Sequence, residues 1–158
     1  MVKSPIDELF SFPDPVNETS ARLVAGGVVA MAGVYMATGW GLILAVLAYG
    51  FWARVLTGPT LSPLGRIATQ LITPRLRVNH RFVSGAPKRF AQGIGAVLTT
   101  LASISHLLGA TTTATLIIAA LLAAASLEAF AGYCLGCTIY GRLIRLGLRP
   151  AEIGRAHV

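Results

Sequence analysis

The sequence predicts an all-α integral membrane protein with four transmembrane helices, arranged as two helical hairpins and joined by an amphipathic cytoplasmic connector. Three observations predict it. Of the 158 residues, 54% are hydrophobic and only 12% are charged, whereas soluble domains carry about 25% charged residues. Two long stretches are nearly free of charge: Leu23 to Ala53 has none, and Phe90 to Gly141 has only Glu128. All thirteen Lys and Arg lie outside these stretches, as the positive-inside rule expects of loops facing the cytoplasm.

Taken in order, residues 1–14 are polar and proline-interrupted, and Asp14-Pro15 offers a capping carboxylate followed by proline at the first helical position. The first helix is therefore expected over about residues 15–37. Thr38-Gly39-Trp40-Gly41 interrupts the apolar run with turn-forming glycines and an interfacial tryptophan, so a second helix is expected over about 40–56. That helix is short for a span, which needs roughly 17–25 residues, and the competing arrangement is one long tilted helix followed by a re-entrant segment.

Residues 57–87 form the connector, with prolines at 59, 63, 74 and 87 and cations at Arg66, Arg75, Arg77 and Arg81. Leu61, Leu64, Ile67, Ala68, Leu71 and Ile72 recur at helical spacing, which predicts an amphipathic helix on the bilayer surface. A third helix follows over about 88–108, a turn at Gly109-Ala110, and a fourth helix over about 112–146. Residues 1–158 thus make a single membrane domain.

Charge sidedness supports the even number of spans. Four crossings put both termini and the connector on one side with every Lys and Arg, and neither short turn carries a cation. The expected location is a cell inner (plasma) membrane, multi-pass, with both termini cytoplasmic. The first twenty residues include Asp7, Glu8, Asp14 and Glu18 and lack the pattern of a cleaved signal, so the first span is expected to stay in the mature chain. Nucleic-acid binding is not implied by the net charge of +7, because topology already accounts for the cations.

Chemistry points to Cys134-Leu135-Gly136-Cys137. On a continuous helix the two Cβ atoms share a face about 5–6 Å apart, and a disulfide needs about 3.5–4.5 Å, so a bridge requires local distortion. Twenty-two residues from Thr112 place Cys134 about 33 Å along the helix, at the cytoplasmic boundary. There, toward the carboxyl end of its helix, the macrodipole disfavours a thiolate while nearby cations favour it. Thiol exchange, sulfur carriage, metal binding and simple packing are all compatible with such a pair. Zinc or an iron-sulfur cluster needs about four ligands, so Cys134 and Cys137 would hold one only across a homodimer.

Glu128, an isolated charge four turns into the fourth helix, is a site candidate by default. Helical spacing sets Glu128, Gly132, Gly136 and Tyr140 in one row, away from the cysteines, and Gly132-x-x-x-Gly136 is a helix-packing pattern. Its expected partners are Tyr35, Tyr49, Ser103, Ser105 or His106, in a structural or a proton-handling role. His106 itself is expected to be a hydrogen-bonded packing residue. The sequence contains no phosphate loop, no Ser/His/Asp ordering and no H-E-x-x-H.

The chain resembles an uncharacterised bacterial membrane family, domain of unknown function 4395. The likeness runs from Asp14-Pro15-Val16-Asn17 through Ser62-Pro63-Leu64-Gly65, Thr73-Pro74-Arg75-Leu76 and Pro87-Lys88-Arg89-Phe90-Ala91-Gln92-Gly93. It ends on Leu127-Glu128-Ala129 and Gly132-Tyr133-Cys134-Leu135-Gly136-Cys137 with Tyr140. Asn17-Glu18-Thr19-Ser20 departs from the more basic version of that segment. The resemblance implies a four-helix membrane protein with a terminal C-x-G-C signature and no established activity.

The leading functional expectation is a membrane thiol protein in which Cys134 and Cys137 exchange dithiol for disulfide, or carry sulfur, with a cytoplasmic thioredoxin-like or sulfurtransferase partner, Cys137 attacking and Cys134 resolving. The alternatives are a homodimeric zinc or iron-sulfur site built from two C-L-G-C motifs, and an accessory subunit of a larger membrane complex. A conduit is the weakest reading, because four short helices with one internal charge would need oligomerisation.

Overall fold

The computed structural model describes residues 16–58, 60–76, 82–83 and 85–146. A two-residue strand β1 (Val16–Asn17) leads into helix α1 (Glu18–Thr38). After a turn at Gly39-Trp40 comes α2 (Gly41–Thr57), then α3 (Pro63–Arg66), which continues through a π-helical turn over Ile67–Ile72 and a 3-10 turn over Thr73–Arg75. Strand β2 (Phe82–Val83) pairs antiparallel with β1 and precedes α4 (Gly85–Leu107). Helix α5 (Thr111–Ser126) runs into a π-helical turn over Leu127–Ala131, and α6 (Leu135–Arg145) completes the described chain.

Three of these helical stretches, Glu18–Thr38, Gly85–Leu107 and Thr111–Ala131, are long and apolar enough to cross a membrane, and Gly41–Thr57 is a shorter apolar helix. Their core is built from small and branched side chains. Val28, Ala32, Leu44, Leu47, Ala96 and Ile118 are buried together, so the helices approach closely over alanine. Large apolar side chains such as Leu116, Leu101 and Val46 point outward instead, the reverse of a water-soluble bundle and the arrangement that a lipid surround stabilises.

Several boundaries differ from those expected. The side chain of Asn17 caps α1 by accepting the Thr19 N–H at 2.9 Å, which moves the helix start downstream; the expected cap Asp14 and Pro15 lie outside the described residues. In the connector, Ala68 is buried and Leu64 packs on the core, whereas Leu61, Ile67, Leu71 and Ile72 are exposed. The hydroxyls of Ser20 and Thr73, 2.8 Å apart, tie this segment to α1. Arg77 and Arg81 of the expected connector lie outside the described residues.

The largest difference is at the end. The continuous helix expected over 112–146 is two helices, because Gly132 adopts φ +69° and ends the first. A residue with a Cβ is disfavoured there. Gly132 N–H donates to the Glu128 carbonyl and Tyr133 N–H to that of Leu127. The Arg22 guanidinium donates to the carbonyls of Ala129 and Phe130 at 3.1–3.2 Å, satisfying the freed end. The Glu128-Gly132-Gly136-Tyr140 row therefore does not exist as one helical face. Gly136 alone keeps the packing role: a Cβ there would lie 2.5 Å from the Ala91 Cβ on α4. Tyr140, buried and 5.5 Å from the Phe90 ring, fixes α6 on the same helix.

Gly132→Ala is expected to destabilise the protein by about 1–2 kcal/mol, the cost of a left-handed backbone with a Cβ. Denaturant unfolding in detergent measures it. A variant as stable as the parent would mean that the helix does not break at this residue.

Candidate functional site

The ends of five helical elements meet at one end of the bundle: the first turns of α1, the last turn of α2, the first turn of α4, the π-helical turn after α5, and α6. Each contributes a polar side chain. Lys88 Nζ donates to Glu128 Oε1 at 2.5 Å, with the two side chains only 8% and 15% exposed. Arg54, 5% exposed, donates through Nε to Gln92 Oε1 at 2.9 Å and through Nη1 to Ser62 Oγ at 3.0 Å, and its guanidinium stacks 4.6 Å above the Phe51 ring. Glu128 also attracts Arg54 electrostatically. One carboxylate thus compensates two buried cations, one through direct contact and one at longer range.

Glu128 is consequently not an isolated charge in mid-helix. It lies in the last turn before Gly132, and its partner is Lys88 rather than Tyr35, Tyr49, Ser103, Ser105 or His106. Tyr49 instead donates to the Leu61 carbonyl at 3.0 Å, and Ser103 to that of Thr99 at 2.7 Å. At the opposite end of the bundle Tyr35 Oη and His106 Nδ1 are 3.1 Å apart, with the rings edge-on, and the His106 ring fills the space where a Cβ on Gly41 would sit. His106 is a hydrogen-bonded packing residue, as expected.

Cys134 and Cys137 form a disulfide, with Cα atoms 5.2 Å apart. The helix break makes it possible. Cys134 is not within a helix but is the extended N-cap residue of α6 (φ −92°, ψ 105°), and the Cys137 N–H donates to its Sγ at 3.2 Å. This reverses the expected electrostatics. The pair stands at the amino end of an eleven-residue helix, where the macrodipole and free N–H groups favour negative charge on sulfur, not at a carboxyl end. Both cysteines are half-buried.

A cavity of about 210 Å³ runs from the disulfide into the bundle, between α1, α2, α4, α5 and α6. Its wall is apolar, built from residues such as Val28, Phe51 and Leu121, but Glu128, Gln92 and Cys134 line it as well. Cys137 does not. Among the described residues no three or more His, Cys, Asp or Glu side chains gather as a metal site, so Cys134 and Cys137 would need ligands from elsewhere to hold a metal, and only after the disulfide is opened.

A family model described as Domain of unknown function (DUF4395) matches residues 16–145. The chain belongs to that family. The match spans all the described elements to the last residue of α6, so the disulfide, the ion pair and the cavity all lie within the family's own domain. No curated protein and no solved structure matches the chain.

Sequence reasoning missed Lys88, Arg54 and Gln92. Lys88 and Arg54 stand among the cations outside the apolar stretches, and no spacing links them to residue 128. The signal available was energetic: a carboxylate at that depth requires a cation, and Lys88 and Arg54 border the two charge-poor stretches.

Lys88→Met is expected to cost about 3–5 kcal/mol, because it leaves a buried carboxylate unpaired. Lys88→Met combined with Glu128→Leu should cost less than the single change. A double-mutant cycle on unfolding in detergent checks both values, and additive costs would show that the two side chains do not interact.

Proposed function

We propose that the protein is a membrane thiol–disulfide exchange protein, in which Cys134 and Cys137 take electrons from a thioredoxin-like dithiol partner at the cytoplasmic face. The observation that carries this reading is the disulfide at the N-cap of α6, beside a buried ion pair and open to an internal cavity. A partner thiolate attacks Sγ of Cys137, the Cys134–Cys137 bond breaks, and Cys134 leaves as a thiolate. A leaving thiolate is expelled faster the more stable it is, and the amino end of α6 with the Cys137 N–H stabilises this one. The partner's second thiolate then closes the partner's disulfide and releases Cys137. The protein ends as a dithiol, having gained two electrons and two protons. Glu128, paired with Lys88, lines the same cavity as Cys134 and is the group assigned to proton handling in this exchange.

In this reading the chain crosses the bilayer four times as two hairpins. Helix α2, at 17 residues, reaches about 26 Å at 1.5 Å per residue, the lower limit for a span, and its Leu44, Leu47 and Phe51 pack in the common core with the three longer helices. The side assignment follows from charge: Arg22, Arg54, Lys88 and Arg142 belong to the site end, and the Gly39-Trp40 and Gly109-Ala110 turns carry none. Both termini and the disulfide then face the cytoplasm of a plasma membrane.

Three measurements test the proposal. In a redox titration with thiol alkylation in membranes, Cys134 and Cys137 should titrate together as one two-electron couple; thiols that stay alkylatable from strongly reducing to strongly oxidising poise would end the thiol reading. Cys134→Ser should accumulate a mixed disulfide between Cys137 and a thioredoxin that lacks its resolving cysteine, and Cys137→Ser several-fold less. For topology, single cysteines introduced at Trp40 and Ala110 should react with an impermeant maleimide from outside intact cells, and labelling only after lysis would reject the four-span arrangement.

A further inference from the structure

Resting on the thiol–disulfide reading, we infer that the cavity beside Cys134 is the binding site for the ring of a lipid-soluble quinone, the oxidant that re-forms the disulfide. The first argument is thermodynamic. A dithiol–disulfide pair facing a reducing compartment stays open unless something oxidises it, and no second cysteine pair exists in the chain to do so, since Cys134 and Cys137 are its two cysteines. The electrons must leave through another molecule.

The second argument is the shape and chemistry of the cavity. An apolar cavity of about 150 Å³ takes benzene, so the 210 Å³ here suits a substituted single ring. Its mouth is apolar. Leu135 and Ile139 of α6, 42% and 40% exposed, and the exposed Ala120 of α5 line it, so a long hydrocarbon tail on the ring can run out into lipid, while a charged or sugar-bearing aqueous oxidant would lose its hydration at this rim without replacement.

The polar groups inside match a ring with two carbonyls. Gln92 accepts from Arg54 through Oε1, which leaves its amide N–H groups to donate to a quinone oxygen. Glu128 lines the same cavity and, bound to Lys88, can accept the hydroxyl of the quinol and pass protons. The sulfur that borders the cavity is Cys134, while Cys137 stays outside it for the partner. Electrons therefore enter at one cysteine and leave beside the other.

The step balances. The Cys134 and Cys137 S–H bonds are lost and one S–S bond forms, which releases two electrons and two protons. The two quinone carbonyl oxygens take them up as two O–H groups, giving one quinol per disulfide.

The test uses the full chain in lipid nanodiscs, reduced and freed of reductant without oxygen. It is mixed with decylubiquinone, whose ring has no hydrogen open to thiol addition, and both quinol absorbance and thiol content are followed. The expected result is one quinol per disulfide formed, at a rate that saturates with quinone in the parent protein and falls about tenfold or more, equivalent to about 1.4 kcal/mol, when Ala120→Phe or Ala124→Phe narrows the mouth. Saturation in the parent needs no variant, so a misfolded variant does not decide the outcome. A rate that rises linearly with quinone and matches that of a free small dithiol would overturn the quinone site. If thioredoxin still reduces the disulfide but no quinol forms, the quinone site fails and the thiol reading stands. If the pair reacts with neither, both fail.

Discussion

The rest of the structure depends on the buried ion pair between Lys88 and Glu128. Lys88 comes from the first turn of α4 and could not remain at 8% exposure without a compensating charge, since an unpaired buried ion costs several kcal/mol; Arg54, from the last turn of α2, feels the same carboxylate at longer range. Glu128 meets this requirement from the turn that follows α5. Two helical segments that are far apart in sequence are therefore joined at one end by a direct ion pair. Gln92, Ser62 and the Phe51 ring make the direct contacts of Arg54, so the guanidinium is hydrogen-bonded although these partners are neutral.

That end of the bundle is also where α5 has to stop. A helix continuing past Glu128 would carry the cysteines away from the ion pair on a rigid rod; Gly132 turns the chain instead, and Arg22 caps the carbonyls left open. The chain re-enters as α6, laid against α4 through Gly136 on Ala91 and Tyr140 beside Phe90. Two consequences follow from this one break. Cys134 becomes an N-cap residue with an extended backbone, which lets its sulfur meet that of Cys137. The sulfur pair also changes from the negative to the positive end of a helix dipole, which alters the expected stability of a thiolate without any change in the neighbouring cations.

Much of this was legible in the sequence. The apolar runs placed α1, α2 and α4 within three residues of where they lie, since their boundaries coincide with charges, glycines and prolines that act locally. The C-x-x-C spacing, the singular Glu128 and the packing role of His106 were legible for the same reason. The break was not: in an apolar helix Gly132-x-x-x-Gly136 reads equally as a packing stripe, and only the tertiary cap from Arg22, more than a hundred residues upstream, makes Gly132 a terminator. Lys88 and Gln92 stayed hidden because their roles come from three-dimensional proximity to Glu128 and Arg54, which no local pattern encodes. The short pairing of β1 with β2 escaped for a similar reason, as two residues carry no periodicity.

The two ends of the bundle are chemically unequal, and the inequality explains where reactivity can reside. At the far end the chain reverses in tight turns, and the contact of Tyr35 with His106 fills the space beside Gly41. At the site end, α1, α2, α4, α5 and α6 together line a cavity of about 210 Å³. Gln92 and Glu128 stand in the wall of this cavity beside alanines of α4 and α5, and the chain breaks at Gly132 between Glu128 and Cys134. The break at Gly132 and the Lys88–Glu128 pair both lie between the end of α5 and the disulfide or against the cavity beside it. Together they surround the place where a disulfide, a buried carboxylate–ammonium pair and an apolar cavity adjoin.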